Sequence, residues 1–148
     1  MNAAIICLQL TLLKQALSDG RFLHKFLFLA THYPLLDDAG QDYSTKHPMH
    51  GVSNGYELSA ALVGSAKVPQ ALLHGHVHRG YATALSMAGD KPSAASPTLQ
   101  IFNPGAAGYR RGAAFNVFDV YGATDARLTR FVHNGEDFVA EPNGPYKS

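Results

Sequence analysis

A chain of 148 residues, 46% hydrophobic and 16% charged, has the size and composition of one globular domain with a buried core, and excludes a disordered segment or a fibre. A formal net charge of +1 with no basic block excludes the electrostatic footprint of a nucleic-acid binder. The single cysteine, Cys7, excludes an internal disulfide framework and a cysteine-rich zinc site, and suits a reducing compartment.

The apolar opening, AAIICLQLTLL, lacks the basic n-region of a signal peptide and falls short of the roughly 20 apolar residues of a membrane span. Leu10, Leu13 and Leu17 recur at helical spacing and SDGR supplies a glycine stop, so the segment reads as an amphipathic helix of a cytoplasmic protein without membrane contact. FLFLAT (26–31) is a continuous apolar run of the kind covered on both faces of a sheet, and it ends at HYP. Residues 35–54 are rich in Asp, Gly, His, Pro, Ser and Asn, a long loop whose His47 and His50 favour a functional role. Its Asp37, Asp38 and Asp42 read as solvated turn residues. GYELSAALVG has helical composition, and VPQALL is a second short apolar run. Helix, strand, loop, helix, strand in that order predicts an α/β fold.

LLHGHVHRGY (72–81) then places three histidines in five positions. If the chain stays extended past ALL, His76 and His78 point the same way, and His32 stands in the same relation to its own apolar run. In open α/β sheets ligands collect beyond the carboxyl ends of strands, where these three rings would meet. Neutral imidazoles suit Zn, Mn, Fe or Ni better than Mg or Ca. The bland readings stand beside this one: His24 and His133 are surface or structural histidines, His74 supports the turn or the ligands, and Pro34 terminates a strand. Beyond Arg79, the pieces GYATALSMAG, SPTLQIFNPG, AAFNVFDVYG and DARLTRFVHNGEDFV read as short strands, the last two forming a hairpin through GATD. KPSAASP (91–97) reads as an exposed loop.

LATHYP followed by LLHGHVHRG, with FNPGAAGY (102–109) after them, resembles the last metal-ligand motifs and the Asn-Pro-Gly stretch of the calcineurin-like metallophosphoesterases, from about Gln9 to Val139. The resemblance implies the C-terminal half of a four-layer αββα sandwich, with residues 1–148 forming a single partial domain. It implies a dinuclear centre of divalent or trivalent Mn, Fe or Zn that hydrolyses phosphomonoesters or phosphodiesters through a metal-activated water. His32 and His76 would bind one metal and His78 the other. His50, or else His47, would meet the substrate or protonate the leaving group. Asn54 and Arg79 join His47 as candidate contacts to a small phosphoester, and Lys46 is a further cation of the loop.

The family's D-x-H, G-D-x-x-D and G-N-H-D/E motifs do not occur in this sequence. Two dications about 3.7 Å apart repel by roughly 18 kcal/mol at an effective dielectric of about 20, and neutral imidazoles do not offset that as bridging carboxylates do. One weakly held metal, or none, is therefore expected in this chain alone. Half a sandwich also leaves a sheet edge open to self-association. Two further readings follow: a non-catalytic remnant that binds a metal or a partner, and a mononuclear hydrolase built on His32, His76 and His78.

Overall fold

A computed structural model describes residues 7–65, 67–86, 98–108 and 112–146. Helix α1 (Cys7–Ser18) is followed by a 3₁₀ turn at Gly20–Phe22, which Asp19 caps by accepting the Arg21 amide. Strand β1 (Phe28–Thr31) leads into a long connection that contains the one-turn helix α2 (Tyr43–Lys46) and then α3 (Gly55–Val63). Strands β2 (Ala71–His74), β3 (Tyr81–Ser86), β4 (Thr98–Asn103), β5 (Ala114–Val120), β6 (Ala126–His133) and β7 (Phe138–Ala140) complete the described chain. The mixture of helix and strand is that of the expected α/β class. Residues 91–97 lie outside the described residues. None of the described helices is long and apolar enough to cross a membrane.

The first sheet has the order β1-β2-β4-β3, with β1, β2 and β4 parallel and β3 antiparallel to β4. The second is an antiparallel meander, β5-β6-β7, whose first hairpin turns through 121–125 as the GATD stretch predicts. Strand alternation gives the first sheet two apolar faces. On one, Leu72, Leu99 and Ile101 pack with Leu17 of α1 and with Leu58 and Leu62 of α3, all buried. Leu58, Ala61 and Leu62 sit at helical spacing on the buried side of α3, while Tyr56 and Glu57 face outward. On the other face Phe28 and Phe102 meet Phe118 of β5, at ring-centroid distances of 5.0 and 5.6 Å. A helical layer, a mixed sheet and an antiparallel sheet are thus stacked in that order.

The 35–54 connection differs from the solvated loop expected. Pro34, Leu35, Leu36 and Val52 are buried, and Leu36 bridges to Asp42. The apolar pair ahead of the two aspartates draws Asp37 inward as well: it is 6% exposed and accepts from the Ala39 and Gln41 amides and from Lys46 Nζ at 2.6 Å. The Lys46 contact, ahead of the two amides, holds its carboxyl below the ordinary aspartate range against the opposing effect of burial. Asp42 is likewise no free turn residue, since it caps α2 through the Ser44 amide.

Candidate functional site

Register aligns one residue from each strand of the first sheet at its carboxyl end. Thr31 lies opposite His74 across the β1–β2 pairing, and Asn103, the last residue of β4, lies opposite Tyr81 of β3. These residues close the apolar face above Leu72 and Ile101, and three of them tie down a connection that leaves the sheet. Thr31 Oγ1 donates to the Tyr33 carbonyl at 2.9 Å, and the Tyr81 hydroxyl donates to the Leu36 carbonyl at 2.8 Å. Asn103, fully buried, donates from Nδ2 to the Val77 carbonyl at 2.8 Å and accepts the Gly105 amide at 2.9 Å. None of these three residue roles was read from the sequence. The available signal was that FLAT, ALLH and TLQIFN each end an apolar run on one polar residue.

The histidine loop does not continue as an extended strand. β2 ends at His74, and His76 takes φ +64°, while the Val77 amide donates to the Gly75 carbonyl at 2.7 Å. A positive φ between residues joined by an i to i+2 hydrogen bond is the rare, strained form of the γ-turn, which costs of order 1–3 kcal/mol in a non-glycine residue. The turn corrects the same-face pairing of His76 and His78 expected from alternation. It instead brings the His76 ring between two other loops: Nε2 lies 2.9 Å from His50 Nδ1, and Nδ1 lies 3.3 Å from His32 Nε2. The Gly75 amide donates to the His32 carbonyl, and Tyr33 packs on the His76 ring at 4.6 Å.

Three neutral imidazoles in a row satisfy one another, since each carries one N–H and one lone pair. Burial, followed by the neighbouring His32, His50 and His78, lowers the His76 pKa. The lowered value favours the neutral ring that a metal requires. As placed, however, His76 gives opposite nitrogens to its two neighbours, so the three rings form a chain and not a chelate. Among the described residues no group of three or more His, Cys, Asp or Glu side chains is arranged to hold a metal.

The remaining candidates have other positions and contacts. His78 is exposed two residues on. Arg79 pairs with Asp38 at 2.7 Å, linking the histidine loop to the 35–54 connection, and Lys46 is engaged with Asp37. His47 caps the end of α2 with its ring 4.8 Å from Tyr43, and Asn54 stands at the N-cap of α3. His24 is exposed, and His133 lies on β6 against Phe138, both away from the cluster.

His74 is 4% exposed, its Nδ1 is 3.2 Å from the Gly75 carbonyl, and its Nε2 is buried without a hydrogen-bond partner. Burial holds this imidazole below its ordinary pKa. The unfolded chain therefore takes up the proton first as pH falls, so stability is unaffected above about pH 6.5 and drops below it. The slope is up to about 1.4 kcal/mol per pH unit until the folded value is passed. His74→Leu is expected to flatten that slope, measured as urea midpoints at pH 7.5 and 5.5. An unchanged slope would place the acid sensitivity elsewhere. In comparisons with protein-family models and with curated protein sequences, the chain matches none.

Proposed function

We propose that the chain is the histidine-bearing part of a metal-dependent phosphoester hydrolase of the calcineurin-like class, folded as the C-terminal half of a four-layer αββα sandwich. The observation that carries this reading is the meeting of His32, His50 and His76 where the connections after β1 and β2 leave two adjacent parallel strands. His32, His76 and His78 would hold Mn, Fe or Zn, which when bound polarises a phosphoryl oxygen and lowers the pKa of a water. His50, exposed beside His76, donates a proton to the leaving oxygen. His47, Asn54 and Arg79 contact a small phosphodiester or phosphorylated metabolite, with Arg79 exchanging the Asp38 carboxylate for phosphate.

A second reading, a non-catalytic metal- or partner-binding remnant, is favoured by the carboxylates. Asp37, Asp38 and Asp42 hydrogen-bond to Lys46, Arg79 and Ser44, and among the described residues no group of three or more His, Cys, Asp or Glu is arranged to hold a metal. A dinuclear centre then requires D-x-H and G-N-H-D/E ligands from another polypeptide segment. The outer edge of β1 is where such a segment, or a second copy, would pair.

Calorimetric titration of the chain with Co²⁺ is expected to show one loosely held ion, weakened at least about 10–100-fold in His76→Ala. Hydrolysis of bis(p-nitrophenyl) phosphate is expected only when a segment carrying the carboxylate motifs is added. Binding without activity under every such condition supports the remnant, and no Co²⁺ binding at all overturns the hydrolase and the metal-binding remnant alike.

A further inference from the structure

We propose that Arg130, in the centre of the second sheet, is a positioning residue that holds the His76 turn in its strained form. Arg130 lies on β6 with its side chain 11% exposed. Its guanidinium donates to Glu141 Oε1 at 2.6 Å and to the Pro104 carbonyl at 3.1 Å, and it lies 4.9 Å over the Tyr146 ring. Glu141 in turn accepts the Tyr146 amide.

The other side of the guanidinium is the backbone of the histidine loop. A Cβ on Gly80 would lie 2.3 Å from an Arg130 terminal nitrogen and 2.9 Å from the Pro104 carbonyl oxygen, so only glycine lets the loop pass. Gly105, at φ +97°, sits against Gly80 and the His78 carbonyl, and its amide is held by Asn103. The stretch from His78 to Gly80 is thus clasped between the Asn103–Gly105 turn and the Arg130 guanidinium. Asn103 fixes the same loop one residue earlier, at the Val77 carbonyl.

Among the described residues only His76 and Tyr146 are non-glycines with positive φ, and the Arg130 guanidinium packs over the ring of the second while touching the loop that carries the first at Gly80. A strained backbone persists only where its surroundings over-determine it. The hydrogen bond to Asn103 fixes one carbonyl of the γ-turn. The guanidinium, anchored by the largely enclosed Glu141 carboxylate just after β7, stops the loop from relaxing away from the first sheet. The ring of His76 reaches both His32 and His50 only while the turn is held. Whether this raises metal affinity rests on the proposed function, whereas the positioning itself does not.

The test replaces the buried pair as a unit, Arg130→Met with Glu141→Leu, so that no charge is stranded. Two readouts are taken on the whole chain: through-space NMR contacts between the imidazole protons of His76 and those of His32 and His50 in metal-free protein, and Co²⁺ affinity. The variant is expected to keep a dispersed amide spectrum, lose the His76 contacts and bind Co²⁺ about 10–100-fold more weakly. Retained ring contacts overturn the proposal whatever the affinity. Lost contacts in a protein whose parent binds no Co²⁺ support the positioning and overturn the metal reading. If the double variant does not fold, Arg130→Lys carries the test, because a point ammonium keeps the charge opposite Glu141 but does not span Glu141 and Pro104 together. Weakened ring contacts there support the proposal, and wild-type contacts overturn it.

Discussion

Arg130→Met alone is expected to lower the unfolding free energy by about 3–5 kcal/mol, because it leaves the Glu141 carboxylate buried without its counter-charge. Both side chains are 11% exposed, so water compensates little. At about 3 °C per kcal/mol for a domain of this size, the melting temperature falls by roughly 10–15 °C. Adding Glu141→Leu removes the stranded charge and is expected to recover most of the loss, to within about 2 kcal/mol of wild type. The remainder is the cost of the Pro104 carbonyl and the Tyr146 amide that lose their partners. The Tyr146 hydroxyl, pushed up to about 12 by burial, stays protonated throughout and keeps its hydrogen bonds to Asn116 in both variants. Urea unfolding of the two variants checks this directly. Equal losses in both would mean that packing, not the ion pair, sets the energetics at this position.

The contrast between the two variants bears on what a sequence discloses. The apolar runs at 26–31 and 68–73, the leucine spacing of the first helix and the hairpin through GATD were legible because each is a local pattern with its own period. The convergence of His32 and His76 followed from a topological rule about strand ends, and the structure brings those rings to 3.3 Å. His50 joins them from a connection whose path depends on buried Leu35 and Val52, and no periodicity encodes that path. The γ-turn at His76 was missed because alternation assumes an extended backbone, whereas the Val77 carbonyl at the end of the turn is hydrogen-bonded by Asn103 from another strand. Arg130 was illegible for a related reason: Glu141, Pro104 and Gly80 lie 11, 26 and 50 residues away and meet it only after two sheets have stacked. The carboxyl-end row of Thr31, His74, Asn103 and Tyr81 lies between these cases. Its members look like ordinary strand ends until the register sets them side by side.

Asn103 supplies the sharpest separation of packing from hydrogen bonding. Asn103→Leu fills the same space but leaves the Val77 carbonyl and the Gly105 amide without partners, and is expected to cost about 2–4 kcal/mol at every pH between 5 and 8 beyond the wild-type profile. Asn103→Asp keeps the acceptor for Gly105 and turns the donor into an oxygen facing the Val77 carbonyl. A buried carboxyl there is favoured in its protonated form, which alone can donate to Val77, so its folded pKa is raised above the unfolded value of about 3.9. The sign follows: the aspartate variant is near wild-type stability below about pH 4 and loses up to about 1.4 kcal/mol per unit as pH rises, until the folded pKa is passed. Urea midpoints at pH 4, 5.5 and 7 are therefore expected to diverge between wild type and Asn103→Asp and to run parallel between wild type and Asn103→Leu. A flat difference for the aspartate would show that Val77 does not need the donor. The His76 turn would then be held from the Arg130 side alone.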